Sequence, residues 1–101
     1  MAKSSLLIGV LFTLAAPLAS AEAIKNACLQ SERAAGQRTL CSCIQDAANR
    51  TLTARDQKLA ASFFKDPNRA QDIRQSNARR HEDFWDRYEN FGQVAETYCG
   101  R

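Results

Sequence analysis

The chain of 101 residues holds a single histidine, one methionine, one tryptophan, two prolines and four glycines. Each scarcity removes a class of chemistry. One histidine, His81, leaves no histidine cluster for a metal, and no serine or cysteine nucleophile matches it with a third group at recognisable spacing. Four scattered glycines form no phosphate-cradling loop. A formal charge of only +3, with the two signs interleaved, gives no nucleic-acid footprint. No stretch alternates apolar and polar residues as a half-buried strand does, and none repeats.

One apolar run is present, Leu6 to Ala16. It follows Lys3, ends at Pro17, and leads to Ala19-Ser20-Ala21, the small-x-small pattern of a signal-peptidase site. It falls short of the ~20 residues a spanning helix needs. The expectation is a signal peptide over residues 1–21, a single domain over 22–101, and no membrane span once the signal is gone. Loss of Lys3 leaves a charge of +2, and arginine then outnumbers lysine ten to three.

Four cysteines remain, Cys28, Cys41, Cys43 and Cys99. An even count after a signal reads as a disulfide framework in an oxidising compartment, periplasmic or secreted. A domain this small buries only ~60–65% of its unfolded surface and gains from such staples. The stretch Thr39-Leu40-Cys41-Ser42-Cys43-Ile44 organises the rest. At 100° per residue Cys41 and Cys43 sit on opposite edges of a helical stripe, so each faces a different neighbour. If the first two helices form a hairpin about Gly36 to Arg38, Cys43 lies nearer than Cys41 to the level of Cys28. The preferred pairing is therefore Cys28–Cys43 with Cys41–Cys99, and exchange of Cys41 and Cys43 is its chief competitor.

Helical periodicity runs through the remainder. Ile24, Ala27, Cys28, Ser31 and Ala35 share a face of a helix from Glu22 to Ala35, with Gly36 placed to end it. Thr39 is an N-cap candidate for a second helix to about Arg50, with Leu40, Ile44, Ala47 and Ala48 as its apolar stripe. Thr53 with Asp56 forms a capping box for a third, Ala54 to about Lys65, burying Leu59, Ala60, Phe63 and Phe64. Asp66 and Pro67 stop that helix and start another. From Pro67 to Cys99 one long helix is favoured over a break near Ser76-Asn77, on the strength of the i, i+4 pairs Arg79–Asp83 and Asp83–Arg87. Its apolar face takes in Ala70, Ile73, Phe84, Tyr88, Phe91, Ala95 and Tyr98, widened by Trp85 and Val94. The expected fold is all-α, a bundle of three to four helices stapled by two disulfides.

Candidate sites are few. Cys41-Ser42-Cys43 at a helix start has the lowered-pKa setting of an exchange site, but redox pairs are more often Cys-x-x-Cys. Zinc cysteines come as two close pairs, and only one is present. His81, among Arg79, Arg80, Glu82 and Asp83, reads as a solvated surface residue, and the acids beside it as salt-linked helix surface. The aromatic residues read chiefly as core. Phe63-Phe64 and Phe84-Trp85 are adjacent pairs, however, and two helical neighbours cannot both face inward. Phe64 and Trp85 are thus the candidate partner-binding patch. Asn49-Arg50-Thr51 fits a glycosylation acceptor, relevant only in a eukaryotic secretory route.

Cys41-Ser42-Cys43-Ile44-Gln45, Asp56-Gln57-x-Leu59-Ala60-Ala61-x-Phe63-Phe64 and Phe84-Trp85-x-x-Tyr88 together resemble a group of small exported proteins of alphaproteobacteria, some labelled "arginine transporter". The resemblance brings no catalytic or binding residues. A domain of this size without a span forms no transport path by itself. The function expected is a small exported non-enzymatic binding or interaction protein, without cofactor or metal. The alternatives are an accessory protein that binds a small ligand such as arginine for a membrane transporter, and a thiol–disulfide exchange factor using Cys41 and Cys43.

Overall fold

A computed structural model describes residues 22–100; the expected signal peptide falls outside the described residues. Five helices follow one another: α1 Ala23–Gln30, α2 Arg38–Thr51, α3 Ala54–Lys65, α4 Pro67–Arg74 and α5 Arg79–Cys99. No strand occurs among the described residues, and none of their helices is long and apolar enough to cross a membrane. The fold is all-helical with two disulfides. It has five helices where three to four were expected, because the C-terminal third is divided.

α1 is shorter than its periodicity implies, ending at Gln30 rather than Ala35. Ser31 is the cause. Its N–H and its hydroxyl both donate to the Cys28 carbonyl, at 3.1 and 2.7 Å, and its backbone turns extended. A serine that bonds the backbone locally competes with the helix ladder. Gly36 does take the left-handed conformation (φ 79°), but inside the following loop instead of at the helix end. Within that loop Ala34 is buried, so the loop is packed inward.

α2 starts one residue before Thr39, with Gln37 at the cap position and no capping side chain. α3 matches its expected span, and both halves of the capping box form: Asp56 N–H donates to Thr53 Oγ1 at 3.0 Å and Thr53 N–H to Asp56 Oδ2 at 3.2 Å. Asp66 caps α4 by accepting from the Asn68 N–H at 3.2 Å, with Pro67 at the first helical position.

The favoured long helix from Pro67 to Cys99 does not form; residues 75–78 separate α4 from α5. Ser76 Oγ accepts the Ala78 N–H at 3.1 Å and meets His81 Nδ1 at 2.7 Å, which builds a local turn in place of helical bonds. Continuing the helix would carry its core face through Asn77 and Arg80. The break instead lets Ile73 and Phe84 enter one core. The charge pairs that argued for continuity are worth only ~0.2–0.5 kcal/mol each. Neither closes to ion-pair distance; among the described residues such contacts join Lys25 to Glu22 and Arg87 to Asp56.

The core joins Ile24, Ala47, Ala48, Leu52, Ala60, Phe63, Ile73, Phe84 and Phe91, so every helix contributes. Phe84 stacks on Tyr88 (centroids 5.5 Å, 20°), and Phe63 meets both rings edge-on at 6.0 and 5.4 Å. A satellite cluster of Cys28, Ala34 and Cys41 seals α1 to the start of α2.

Candidate functional site

The Cys41-Ser42-Cys43 stretch lies on the first two turns of α2 and ties down both ends of the domain, but the preferred pairing is reversed. The bridges are Cys28–Cys41 (Cα–Cα 5.6 Å) and Cys43–Cys99 (Cα–Cα 5.8 Å), not Cys28–Cys43 and Cys41–Cys99. The early end of α1 explains it. Cys28 stands two residues from that end, and the loop over residues 31–37 returns the chain so that Cys28 meets the first turn of α2. The expectation that Cys41 and Cys43 turn to different neighbours holds: one reaches α1, the other the last residue of α5. Cys41 is 0% exposed while Cys43 is half-buried, and each is held in a bridge to a different partner.

The expected patch of Phe64 and Trp85 is divided. Phe64 is exposed, at 36%, as the outward neighbour of core Phe63. Trp85 is half-buried against the core, tilted on Tyr88 at 5.1 Å, with the Arg74 guanidinium 6.0 Å above its ring. Among the described residues the most exposed large apolar one is Tyr98, at 69%, although its spacing from Phe84 and Phe91 put it on the core face. A seven-residue step drifts ~20° on a straight helix, so from Phe84 through Phe91 to Tyr98 the direction turns ~40° away. Beyond Ala95 the adjoining surface is the start of α2.

Tyr98 stands at the edge of an open cleft of about 850 Å³, between Gly36–Leu40 on one side and Cys43–Cys99 with Gly100 on the other. On its other flank a smaller cleft of about 160 Å³ runs past Val94, Ala47, Asp46 and Arg50. The surface is therefore an aromatic ring and aliphatic side chains edged by Arg38, Arg50 and Asp46. The bridge fixes the backbone directly beside Tyr98.

Two polar features in the interior were not read from the sequence. The first is an amide ladder of two buried glutamines, Gln45 and Gln57, that reaches the surface at Asn49. Gln45 Nε2 donates to Gln57 Oε1 at 2.8 Å and to Asn49 Oδ1 at 2.9 Å, and Gln57 Nε2 donates to Asn49 Oδ1 at 3.2 Å. Gln45 Oε1 accepts the Lys25 N–H at 2.8 Å, which links α1, α2 and α3. Asn49, the glycosylation candidate, is thus an acceptor within a helix. The visible signal was a polar residue within each apolar stripe, Gln45 between Cys41 and Ala48, and Gln57 before Ala60.

The second is Asp56, the only buried carboxylate among the described residues. Arg87 grips it with both edges of a fork, Nε to Oδ2 at 2.6 Å and Nη2 to Oδ1 at 3.0 Å. Burial alone would raise the Asp56 carboxyl; the Arg87 hydrogen bonds and charge and the Thr53 N–H and hydroxyl together outweigh it and hold it below the ordinary aspartate value. Because the folded value is depressed, the stabilisation is complete above the ordinary value of 3.8 and disappears as pH falls through the lowered one. Arg87 is partly exposed, so solvent screens the pair. Asp56→Asn, a mimic of the protonated acid, is expected to cost about 2 kcal/mol at pH 7. In urea titrations its difference from wild type should narrow towards zero below pH 4. A difference constant from pH 7 to pH 2 would contradict the assignment.

His81 is half-buried with its ring on Ser76, not a solvated surface residue. Among the described residues Glu82 and Asp83 lie outside ion-pair distance of every arginine, so the salt-linked reading of that surface does not hold. No metal-holding group of His, Cys, Asp and Glu occurs among the described residues. Comparison with family models, curated proteins and solved structures finds no match to this chain.

Proposed function

We propose that this chain is a small exported binding module, acting without catalysis, that meets a protein partner through the Tyr98 end of the bundle. The observation that carries the reading is Tyr98 itself, a large aromatic left 69% exposed beside a cleft of about 850 Å³. Tyrosine is among the residues that dominate binding energy at interfaces. The Cys43–Cys99 bridge next to it holds the ring's backbone in place, so little conformational freedom is lost on docking. The groups otherwise suited to chemistry are engaged in holding the fold: each cysteine is in a bridge, His81 is on Ser76, and Asp56 is on Arg87. Two disulfides fit an oxidising compartment, the periplasm or beyond.

The arginine-binding alternative asks for convergent carboxylates. The one buried carboxylate already holds an arginine of this chain, Arg87, so no observation favours that reading.

A photo-reactive benzoylphenylalanine placed at position 98, and separately at 64, tests the proposal in the exporting cell. The expected result is one discrete cross-linked adduct from position 98 and none from 64, with the same partner lost from a Tyr98→Ala pull-down. Adducts only from position 64, or none from either, would overturn it.

A further inference from the structure

On the side of the bundle where α3 begins and α5 begins, a separate cleft of about 290 Å³ is lined by Arg55, Asp56, Arg80, His81, Asp83 and Arg87 over a floor of Leu59 and Phe84. We infer that this cleft binds a small organic carboxylate, the charged head on the arginines and an apolar body on Leu59 and Phe84.

The charge balance sets the sign of the ligand. Three arginines face two aspartates, and Asp56 is already consumed by Arg87. Asp83 and the nearby Asp86 also act on Arg87 through their charge, which leaves Arg55 and Arg80, neither with an acid within ion-pair distance among the described residues. α5 opens on this rim with no capping side chain, which adds the positive end of a helix dipole.

Arg87 gives the site its rigidity. A guanidinium has five N–H donors. Asp56 takes Nε–H and one of those on Nη2, leaving three on a group whose plane is already fixed by a buried carboxylate. An arginine held in this way offers a fork of donors without first having to be ordered, the geometry that suits a carboxylate.

His81 adds a further polar group to the rim. Its Nδ1 lies 2.7 Å from Ser76 Oγ, which also accepts the Ala78 N–H, so the ring is held in place beside the arginines. The floor favours an organic anion over a purely inorganic one: Leu59 is half-buried, and an apolar body laid on it removes its remaining surface from water, with buried Phe84 packed behind. This site is independent of the Tyr98 surface, and its failure would leave that reading standing.

The test is an amide-resolved NMR titration of the oxidised mature domain with benzoate, with its neutral analogue benzamide, and with inorganic phosphate. Benzoate is expected to give saturable shifts centred on Arg55, Leu59, Arg80, His81 and Arg87, with weaker response to phosphate and none to benzamide. Arg55→Gln and Arg80→Gln are each expected to weaken benzoate by about five- to tenfold. Arg50→Gln, beside Tyr98, should leave it unchanged, and circular dichroism would establish that all three variants are folded. Equal response to benzoate and benzamide, phosphate binding as tightly as benzoate, shifts centred elsewhere, or unchanged affinity in both cleft variants would each overturn the inference.

Discussion

The double variant Cys43→Ser/Cys99→Ser is expected to melt roughly 15–30 °C below wild type in oxidising buffer. The bridge spans 56 positions, enclosing most of α2 and all of α3, α4 and α5. Chain-entropy reasoning gives a loop of that size about 4 kcal/mol, against about 3 kcal/mol for the 13-position separation of Cys28 and Cys41. A domain of about 80 residues has a net stability of roughly 4–12 kcal/mol, so the loss takes a large share of the whole. Its local effect should be visible as well. Past Ala95 no residue of α5 belongs to the core, and without the bridge the last turn loses its covalent hold on α2. Amide exchange from Glu96 to Gly100 should therefore accelerate more than exchange around Phe84. A variant melting within a few degrees of wild type would show that the bridge closes nothing the packing does not already hold.

Phe84→Ala is expected to cost about 3–5 kcal/mol, the usual range for removing a buried aromatic side chain. Phe84 is 2% exposed and contacts Phe63 and Tyr88 through their rings, so its removal leaves a cavity between α3 and α5. The two bridges survive in this variant. The expected product is therefore not an open coil but a tethered, loosely packed chain, with helical far-ultraviolet dichroism largely kept and aromatic near-ultraviolet dichroism lost. Phe64→Ala is the matched control, one residue from Phe63 but facing outward, with an expected cost below about 1 kcal/mol. Urea titration of the two variants measures the contrast. Similar losses in both would mean that the inward and outward members of the Phe63-Phe64 pair had been wrongly assigned.

Which parts of this molecule could be read from the chain follows from the range of each interaction. The α3 start was legible because Thr53 and Asp56 satisfy each other within three residues. The α4 start was legible for the same reason, through Asp66 and Pro67. The end of α1 and the break before α5 were missed, though both are also local. In each a serine engages the backbone locally, the Ser31 hydroxyl donating to the Cys28 carbonyl and Ser76 Oγ accepting the Ala78 N–H, and serine is too common for its presence alone to mark a break. The disulfide reversal followed from the first of these errors: a helix drawn five residues too long displaced Cys28 from the level of Cys41. Asp56–Arg87 spans 31 positions and Gln45–Gln57 joins two helices, so their partners become visible only once the helices are packed. Tyr98 was misplaced because heptad spacing continues past the point where α5 still has a neighbour to cover it.

These elements make one claim: two covalent links, set two residues apart on α2, fasten α1 and the tail of α5 and so fix the surface around Tyr98. The decisive measurement is proteolysis of the folded, oxidised protein under non-reducing conditions, followed by mass spectrometry of the linked peptides. The expected result is Cys28–Cys41 and Cys43–Cys99 with no free thiol. Recovery of Cys28–Cys43 with Cys41–Cys99, or of unpaired cysteines in the folded protein, would contradict it.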